Sequence, residues 1–314
     1  MAEDNIGTNN RYDLIIIGAG PSGLGASIYA SRYKLNHLVI GNEIGGQVVE
    51  ASEIENWAGE ISITGQTLME KFEHHAKHLG GKIIKDDVSK IDKTADGFEV
   101  SAGGEKYQTR SIILALGMKP RKANIPGEDK FIGKGISYCA TCDAMFFRGK
   151  DVVVIGGGDA AATAAIHLTE FANKVTLMYL EGGKIFEPSW EEQMEKSGKV
   201  EMIECSKITG VLGEAKVSGL TYEIKGEKRE LAVEGVFIEV GTTPGVTLAQ
   251  GLGVALDPQS YIIVDATQAT NVDNVFAAGD VTTGSNKFRQ IITAVAEGAV
   301  AAGSLYRKLK LGKK

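Results

Sequence analysis

Short apolar runs that end in glycine form the clearest pattern along this chain. The first run, Tyr12 to Gly18, reads YDLIIIG, and a helical pattern from Leu24 to Tyr33 follows it. A second apolar run extends from His37 to Ile40. Runs without alternating polar positions are typical of strands that are buried in a parallel sheet. The start of the chain therefore predicts a strand, a tight turn, a helix and a second strand.

The turn after the first strand carries a glycine pattern of recognisable chemistry. Gly18, Gly20 and Gly23 fit G-x-G-x-x-G, and they lie between the predicted strand and helix. Glycine permits the tight turn, and the N–H groups at the start of the helix then face a pyrophosphate. This context makes the pattern an indication of dinucleotide binding.

The same arrangement occurs again in the second half of the chain. Asp151 to Ile155 is an apolar run, and Gly156 to Ala161 fits G-x-G-x-x-A. A helical pattern over Ala162–Phe171 and an apolar run over Lys174–Leu180 follow. Two such units, each in a strand–turn–helix–strand context, predict that at least one holds a dinucleotide.

Two further apolar runs complete the predicted fold. Ser111–Gly117 and Asn274–Asp280 both end in glycine, and a long helical pattern extends from Arg289 to Leu309. We expect the late segment to return to the first unit. The prediction is therefore an α/β fold with two Rossmann-like domains, the second inserted in the first. Residues 1–120 and 250–314 would form one domain, and residues 121–249 the other.

Composition and charge exclude several classes of protein. The chain has 314 residues, a net charge of −6, 40 glycines and only 3 cysteines. The negative charge argues against nucleic-acid binding, and no apolar run approaches the length of a membrane span. The start of the chain, Met1 to Asn10, lacks the order of a signal peptide. We expect a cytoplasmic protein.

Cys139 and Cys142 are separated by two residues, and Asp143 follows them directly. A zinc site would need two more ligands, and Cys205 alone does not supply them. The pair could also be two unlinked residues of the core. The spacing favours a third interpretation, a redox dithiol, because an acid beside two core cysteines would be costly to bury unpaired. In a redox pair the same acid could donate a proton.

Three histidines, His74, His75 and His78, fall in a predicted helix from Gln66 to Leu79. His74 and His78 could share a metal, but a solvated helix face is the commoner arrangement, and no carboxylate or cysteine pattern completes a site. We therefore assign no metal site.

Taken together, these motifs resemble the low-molecular-weight thioredoxin reductases over nearly the whole chain. The matching segments are Gly18–Gly23, Gly45–Gln47, Glu55–Trp57, Tyr138–Asp143, Gly156–Gly158, Phe276–Asp280 and Arg289-Gln290. The Cys-Ala-Thr-Cys-Asp segment just ahead of the second glycine turn is specific to this family. The larger glutathione-reductase type carries its cysteine pair in the first fold.

The resemblance implies an FAD domain, a pyridine-nucleotide domain and a homodimer. It implies that FAD contacts Gly18, Gly20, Ser22, Gly23, Gly41, Asn42, Glu43, Gly45, Gly46, Gln47, Asn56, Val88, Ala115, Gly117, Gly279, Asp280, Arg289, Gln290 and Ile291. In the second domain it implies a nucleotide at Gly156, Gly158, Asp159, Ala160 and Glu181. Asp280 would hold the ribitol, and the helix that starts at Gln290 and Ile291 would point at the isoalloxazine.

The resemblance also implies roles for the redox segment. Cys142 would face the flavin, Cys139 would attack the disulfide of a thioredoxin, and Asp143 would donate the proton. Two electrons would pass from a donor to FAD, then to the cysteine pair, then to the thioredoxin.

The sequence departs from the family where the electron donor is selected. Family members that use NADPH have a His-Arg-Arg-x-x-x-Arg run, and here Tyr179 to Ile185 reads YLEGGKI. Glu181 would repel a 2′-phosphate, whereas an acid at this distance from the glycine turn suits the ribose hydroxyl of NADH. Related proteins without the arginines receive electrons from ferredoxin, a deazaflavin or another flavoprotein. The sequence thus favours NADH or such a donor over NADPH.

Two smaller departures and two rival functions stay open at this point. The stretch Val281–Phe288 is about two residues longer than in the best-known members, and Ile40 stands where many flavoproteins carry an acidic ribose ligand, so that Glu43 could serve instead. One rival function is a flavin-binding redox sensor or scaffold. The other, a ferredoxin–NADP reductase, is disfavoured because that group lacks the cysteine pair.

Overall fold

This computed structural model describes residues 10–51 and 53–311 of the chain. Its strands are β1 (Arg11–Tyr12), β2 (Leu14–Ile17), β3 (His37–Ile40), β4 (Lys82–Ile84), β5 (Val88–Thr94), β6 (Gly97–Ala102), β7 (Glu105–Thr109), β8 (Ile112–Leu114), β9 (Met118–Pro120), β10 (Ile136–Ser137), β11 (Asp151–Ile155), β12 (Lys174–Leu180), β13 (Val200–Cys205), β14 (Lys207–Gly213), β15 (Val217–Ile224), β16 (Glu227–Leu231), β17 (Gly235–Ile238), β18 (Thr242–Pro244) and β19 (Val275–Ala277). The α-helices are α1 (Pro21–Arg32), α2 (Gly65–His78), α3 (Glu128–Phe131), α4 (Ala140–Asp143), α5 (Asp159–Leu168), α6 (Pro188–Ser197), α7 (Thr247–Gly251) and α8 (Ile291–Leu311).

The chain forms two compact units. Of the described residues, the first unit contains 10–49, 53–118 and 244–311, and the second contains 50–51 and 119–243. The return to the first unit thus comes at Pro244, ahead of the sequence-based boundary at residue 250. The reason is α7, whose Ala249 is fully buried in the same core cluster as Leu38 and Ile112 of the first unit.

The first unit is built on a five-stranded parallel sheet of order β19-β8-β2-β3-β4. Alternate residues of β2 enter two different cores: Ile15 and Ile17 pack on one face of the sheet, Leu14 and Ile16 on the other. Burial on both faces explains why the strand reads as an uninterrupted apolar run.

Helices cover one face of this sheet and a second sheet covers the other. Small residues of α1 and α8, such as Ala26 and Ala301, pack in the core cluster of Leu14. On the opposite face, Phe98 and Val100 of the four-stranded sheet β1-β7-β6-β5 pack with Ile15. The long helix α8 therefore belongs to the first unit, as the sequence predicted. No helix within the described ranges is long and apolar enough to cross a membrane.

The second unit repeats the parallel arrangement with the order β10-β17-β11-β12-β13. Val152 and Val154 of β11 face the core that contains α5, whereas Val153 and Ile155 face the core that contains β15. Strands β14, β15 and β16 form an antiparallel sheet. The predicted α/β class with two Rossmann-like folds is confirmed.

The boundaries of single elements differ from the sequence-based ones in a consistent direction. Helix α1 begins at Pro21 and α5 at Asp159, each three residues before the predicted start. Strand β8 ends at Leu114, three residues before Gly117. Strand ends and helix starts shift because the glycine turns between them are shorter than the pattern of apolar residues indicates.

Candidate active site

Most candidate residues of the first unit lie where its parallel strands end. Strand β2 leads into Gly18, β3 into Gly41, β8 into Ala115 and β19 into the segment Ala278-Gly279. Carboxyl ends of neighbouring parallel strands meet at one edge of a sheet, and ligands of open α/β sheets bind there. The edge of the first unit is therefore its candidate cofactor site.

The glycine turn after β2 admits no side chain. Gly18 has a φ of +110°, and a Cβ there would lie 2.0 Å from the carbonyl oxygen of Ala115. A Cβ on Gly23 would lie 1.9 Å from the carbonyl oxygen of Gly18. Helix α1 then starts at N-cap Gly20, with no side-chain capping bond and no acid in its first turn. Its first N–H groups can hold an anion, which fits the pyrophosphate of FAD.

The loop after β3 closes on the same turn. The Gly45 N–H donates to the carbonyl of Ala19 at 2.8 Å, and a Cβ on Gly46 would lie 3.4 Å from the Cα of Gly20. Asn42 and Glu43 of this loop are exposed, and Gln47 lies in a 3₁₀ turn, Gly46–Glu50. Ile40 itself is fully buried in the core, so the loop residues and not this position are available to a ligand.

Asp280 and Glu297 place two carboxylates at the end of β19. Burial raises the pKa of Asp280 to about 6, which the Arg289 guanidinium opposes and Glu297 reinforces. The Glu297 carboxylate accepts hydrogen bonds from the Gly279 N–H at 2.8 Å and the Thr282 hydroxyl at 3.0 Å. Glu297 therefore holds the turn that carries Asp280. The sequence analysis missed it, although a single acid in the apolar pattern of α8 was a visible signal.

The remaining candidates of the first unit surround the start of α8. The Asn56 side-chain amide donates to the Gln290 side chain at 3.1 Å, directly before α8 begins at Ile291. The guanidinium of Arg289 lies 4.5 Å from the centre of the Tyr261 ring. Gly117 follows β8 with a φ of +58°. No contact described among these residues joins Val88 to the glycine loops; Val88 packs against the core of the first unit.

The longer stretch between Asp280 and α8 contains an unusual backbone. Ser285, Asn286 and Lys287 have φ angles of 46°, 53° and 58°, which side-chain-bearing residues rarely adopt. The Lys287 ammonium donates to Asp257 at 2.6 Å and lies over the Tyr261 ring. These contacts hold the inserted stretch in place.

The redox segment lies at the end of β10 in the second unit. Cys139 and Cys142 are joined by a disulfide, with their Cα atoms 5.3 Å apart. Cys139 caps α4, and its sulfur accepts the Cys142 N–H at 3.1 Å. The Ser137 hydroxyl accepts the Cys139 N–H at 3.0 Å. Cys142 is exposed, so an approaching group reaches this sulfur first.

The other side chains of this segment are either anchored or open to water. Ala140, Ala144 and Phe147 are buried in the core cluster that contains Phe237, whereas Asp143 is only partly buried. Cys205 ends β13 in a different core cluster, and burial raises the pKa of its thiol. This third thiol is inert by comparison, because the thiolate is the reactive form.

The second glycine turn resembles the first in backbone and differs in charge. Gly156 has a φ of +153°, and a Cβ there would lie 2.2 Å from the carbonyl oxygen of Glu239. Gly158 caps α5, so that Asp159 and Ala160 form its first turn. The Asp159 carboxylate accepts the Glu187 N–H at 2.8 Å. An acid thus stands at the helix start where a pyrophosphate would bind.

The end of β12 carries no free cation in its described side chains. Leu180 and Ile185 are 53% and 78% exposed, and Glu181 is exposed beside them. Lys184 is ion-paired with Glu191. A second acid, Glu204, accepts the Gly182 N–H at 3.2 Å.

The histidines of α2 form a stacked pair and nothing larger. The rings of His74 and His78 are 6.3 Å apart. Among the residues that the structure describes, no three His, Cys, Asp or Glu side chains form a group that could hold a metal ion.

Comparison with known proteins agrees with this arrangement. The family model described as pyridine nucleotide-disulphide oxidoreductase matches residues 12–298. The thioredoxin reductase of Peptoclostridium acidaminophilum is 39% identical over 305 residues, covering 93% of this chain and 95% of its own. The crystal structure of T. acidophilum thioredoxin reductase superposes with a TM-score of 0.91 at 36% identity, covering 96% of this chain and 100% of that one.

A further solved structure bears on the electron donor. It is a ferredoxin-flavin thioredoxin reductase from Clostridium acetobutylicum, 32% identical, with a TM-score of 0.52. The match covers 96% of this chain and 99% of that one.

The turn held by Glu297 generates a stability prediction. Replacing Glu297 by Ala leaves the Gly279 N–H and the Thr282 hydroxyl without their acceptor, so we expect the free energy of unfolding to fall by about 1–3 kcal/mol. Urea unfolding measures this change. Glu297→Gln keeps an acceptor oxygen and should lose less, and Glu195→Ala, at an exposed position of α6, should change little. An unchanged unfolding midpoint in Glu297→Ala would show that the carboxylate does not hold the turn.

Proposed function

This chain belongs to the pyridine nucleotide-disulphide oxidoreductases, as a member of the low-molecular-weight thioredoxin reductases, and we propose that it reduces the disulfide of a thioredoxin-like protein through Cys139 and Cys142. The observation that carries the proposal is the disulfide between these two residues, whose Cys142 is exposed. The enzyme is a flavoprotein disulfide oxidoreductase of the thioredoxin-reductase type.

The first unit is proposed to hold FAD. The uncapped start of α1 suits the pyrophosphate, and the Asp280 carboxylate suits a sugar-chain hydroxyl because burial leaves it in need of a donor. The Asn56–Gln290 pair and Arg289 would line the ring end of the cofactor. Bound FAD would supply two electrons at a time to the disulfide. The second unit, with its own glycine turn, is proposed as the nucleotide domain.

The cysteines divide the disulfide chemistry between them. The exposed Cys142 receives the attack that opens the disulfide, and Cys139 leaves as the thiolate. The Cys142 N–H already donates to the Cys139 sulfur at 3.1 Å, and this donation stabilises negative charge on that sulfur. Cys139 then attacks the disulfide of the partner. Asp143, in the same turn, is proposed as a proton donor.

A protein partner also needs a surface beside the reacting sulfur. Met145 and Phe146 follow the cysteine motif directly and are 63% and 67% exposed. Two neighbouring apolar side chains in water are typical of a surface that another protein covers. We propose that thioredoxin or a thioredoxin-like protein docks here. The homodimer and the cytoplasmic location stay predictions from the sequence.

The electron donor is proposed to be NADH, and not NADPH. Glu181 and Glu204 lie at the end of β12, and the nearby Lys184 is paired with Glu191, so a 2′-phosphate would meet net negative charge. A ribose hydroxyl would instead find an acceptor in Glu181. The second candidate is a ferredoxin or flavin-type donor, which the name of the Clostridium acetobutylicum relative favours.

The cysteine assignment generates the next prediction. We expect Cys139→Ser and Cys142→Ser each to lower thioredoxin reduction at least about a thousandfold, because each removes one of two groups that act as a unit. The matched control is Cys205→Ser, which should keep nearly full activity. Insulin reduction coupled to thioredoxin measures all three variants. Loss of activity in Cys205→Ser but not in Cys139→Ser would show that the wrong thiols are assigned, and flavin reduction without any transfer to a partner would favour a redox sensor.

The donor proposal is tested by anaerobic bleaching of the flavin absorbance with NADH, NADPH and reduced ferredoxin. We expect NADH to act faster than NADPH at equal concentration. In the double variant Leu180→Arg/Glu181→Arg the ratio should shift toward NADPH, because repulsion at the phosphate becomes attraction. Glu181→Gln, which removes the charge without adding a cation, should shift it less. Efficient reduction of the unmodified protein by NADPH would contradict the proposal, and bleaching by ferredoxin alone would replace NADH with the second candidate.

A further inference from the structure

Glu239 lies at the carboxyl edge of the second unit's sheet and no role assigned above uses it. It follows β17 directly, and its N–H donates to the carbonyl of Ile155 at 2.8 Å. Strand β17 thus keeps its register with β11 up to this residue. A carboxylate that directly follows the buried run of β17 is unexpected, because the strand residues Gly235–Ile238 are all buried.

The register of the sheet brings Glu239 beside Cys139. Strands β10 and β17 are parallel, with Ser137 paired to Phe237. Cys139 and Glu239 each follow two residues later, and Cys139 is still extended, with φ −139° and ψ 97°. Adjacent strands lie about 5 Å apart, so the two residues are neighbours across the ladder.

The two side chains also share a face of the sheet. Phe237 packs in the core cluster of Ala140 and Phe147, whereas Val236 and Ile238 pack in the other core. Side chains alternate along a strand, so Glu239 lies on the face of Phe237. On β10, Ile136 and Tyr138 belong to the other core, which leaves Ser137 and Cys139 on this same face.

The surroundings of Glu239 favour its neutral form. Burial raises the pKa of Glu239 to about 8, and the carboxylate of Glu50 adds to the rise. Other titratable groups on the adjoining elements are Asp143 on α4 and Asp159 at the start of α5. None of these is a cation, so the carboxyl group of Glu239 carries an exchangeable proton near neutral pH.

We propose that Glu239 exchanges a proton with the sulfur of Cys139 when the disulfide opens and closes, an inference that rests on the dithiol role proposed above. In the opening step, a thiolate of a dithiol reductant attacks Cys142 and forms a new sulfur–sulfur bond. The Cys139–Cys142 bond breaks, and Cys139 leaves with the electron pair. The Glu239 carboxyl group gives its proton to this thiolate and becomes a carboxylate. In the reverse direction, the carboxylate takes the proton back as Cys139 attacks a disulfide.

The experiment follows the thiol and not turnover. The protein with its cofactor is reduced with dithiothreitol, freed of reductant, and alkylated with iodoacetamide over a range of pH, and mass spectrometry measures the modification of Cys139. We expect two inflections in the wild-type profile, because thiol and carboxyl titrate as a coupled pair. Glu239→Gln should give one inflection, with the midpoint lower by about one pH unit, because no carboxylate then opposes the thiolate.

Controls separate this proposal from alternatives. Glu234→Gln, at the exposed amino end of the same strand, should keep both inflections, and so should Glu239→Asp, which retains the carboxyl group. Asp143→Asn should keep them as well. A single inflection in the wild type, or an unchanged profile in Glu239→Gln, would overturn the proposal, and the wild-type measurement decides even if a variant does not fold. Because neither nucleotide nor thioredoxin is present, failure of the proposed function in turnover would leave this result independent.

Discussion

The parallel pairing of strands is the constraint on which both candidate sites depend. In a parallel sheet all carboxyl ends meet at one edge, so residues far apart in sequence become neighbours without a dedicated contact between them. In the first unit this brings Gly18, Ala115 and Gly279 together although they lie in three separate segments. In the second unit the same geometry brings Cys139 of β10 beside Glu239 of β17. A slip of one residue in either ladder would turn these side chains to the opposite face.

The two glycine turns share a backbone and differ in their electrostatics. Helix α1 starts without an acid, so its N–H groups keep their full attraction for a diphosphate. Helix α5 starts with Asp159, and Glu181 and Glu204 stand at the end of the neighbouring strand. The first site therefore favours a doubly charged pyrophosphate more strongly than the second does. This difference explains why the identity of the cofactor follows readily from the residues while the identity of the electron donor does not.

The sequence predicted the parts of this fold that local patterns encode. The run from Leu14 to Ile17 is apolar because both of its faces are buried, and a glycine that must follow it is visible in the sequence. What the sequence could not show is which carboxylates become buried. Glu297 and Glu239 acquire their surroundings from segments far away in the chain, the turn at Gly279 in one case and strand β10 in the other. The boundary at Pro244 was missed for the same reason, because α7 is held by a core that remote strands build.

The central claim is that a flavin and the Cys139–Cys142 disulfide exchange electrons within this chain. Anaerobic titration with dithionite tests it without assuming any natural donor, because absorbance reports the flavin and thiol counting reports the disulfide. We predict that the wild type takes up about four electrons per bound flavin before bleaching is complete, since flavin and disulfide each take two, and that Cys139→Ser takes up about two. Complete bleaching of the wild type after about two electrons, with the disulfide still intact, would contradict the account.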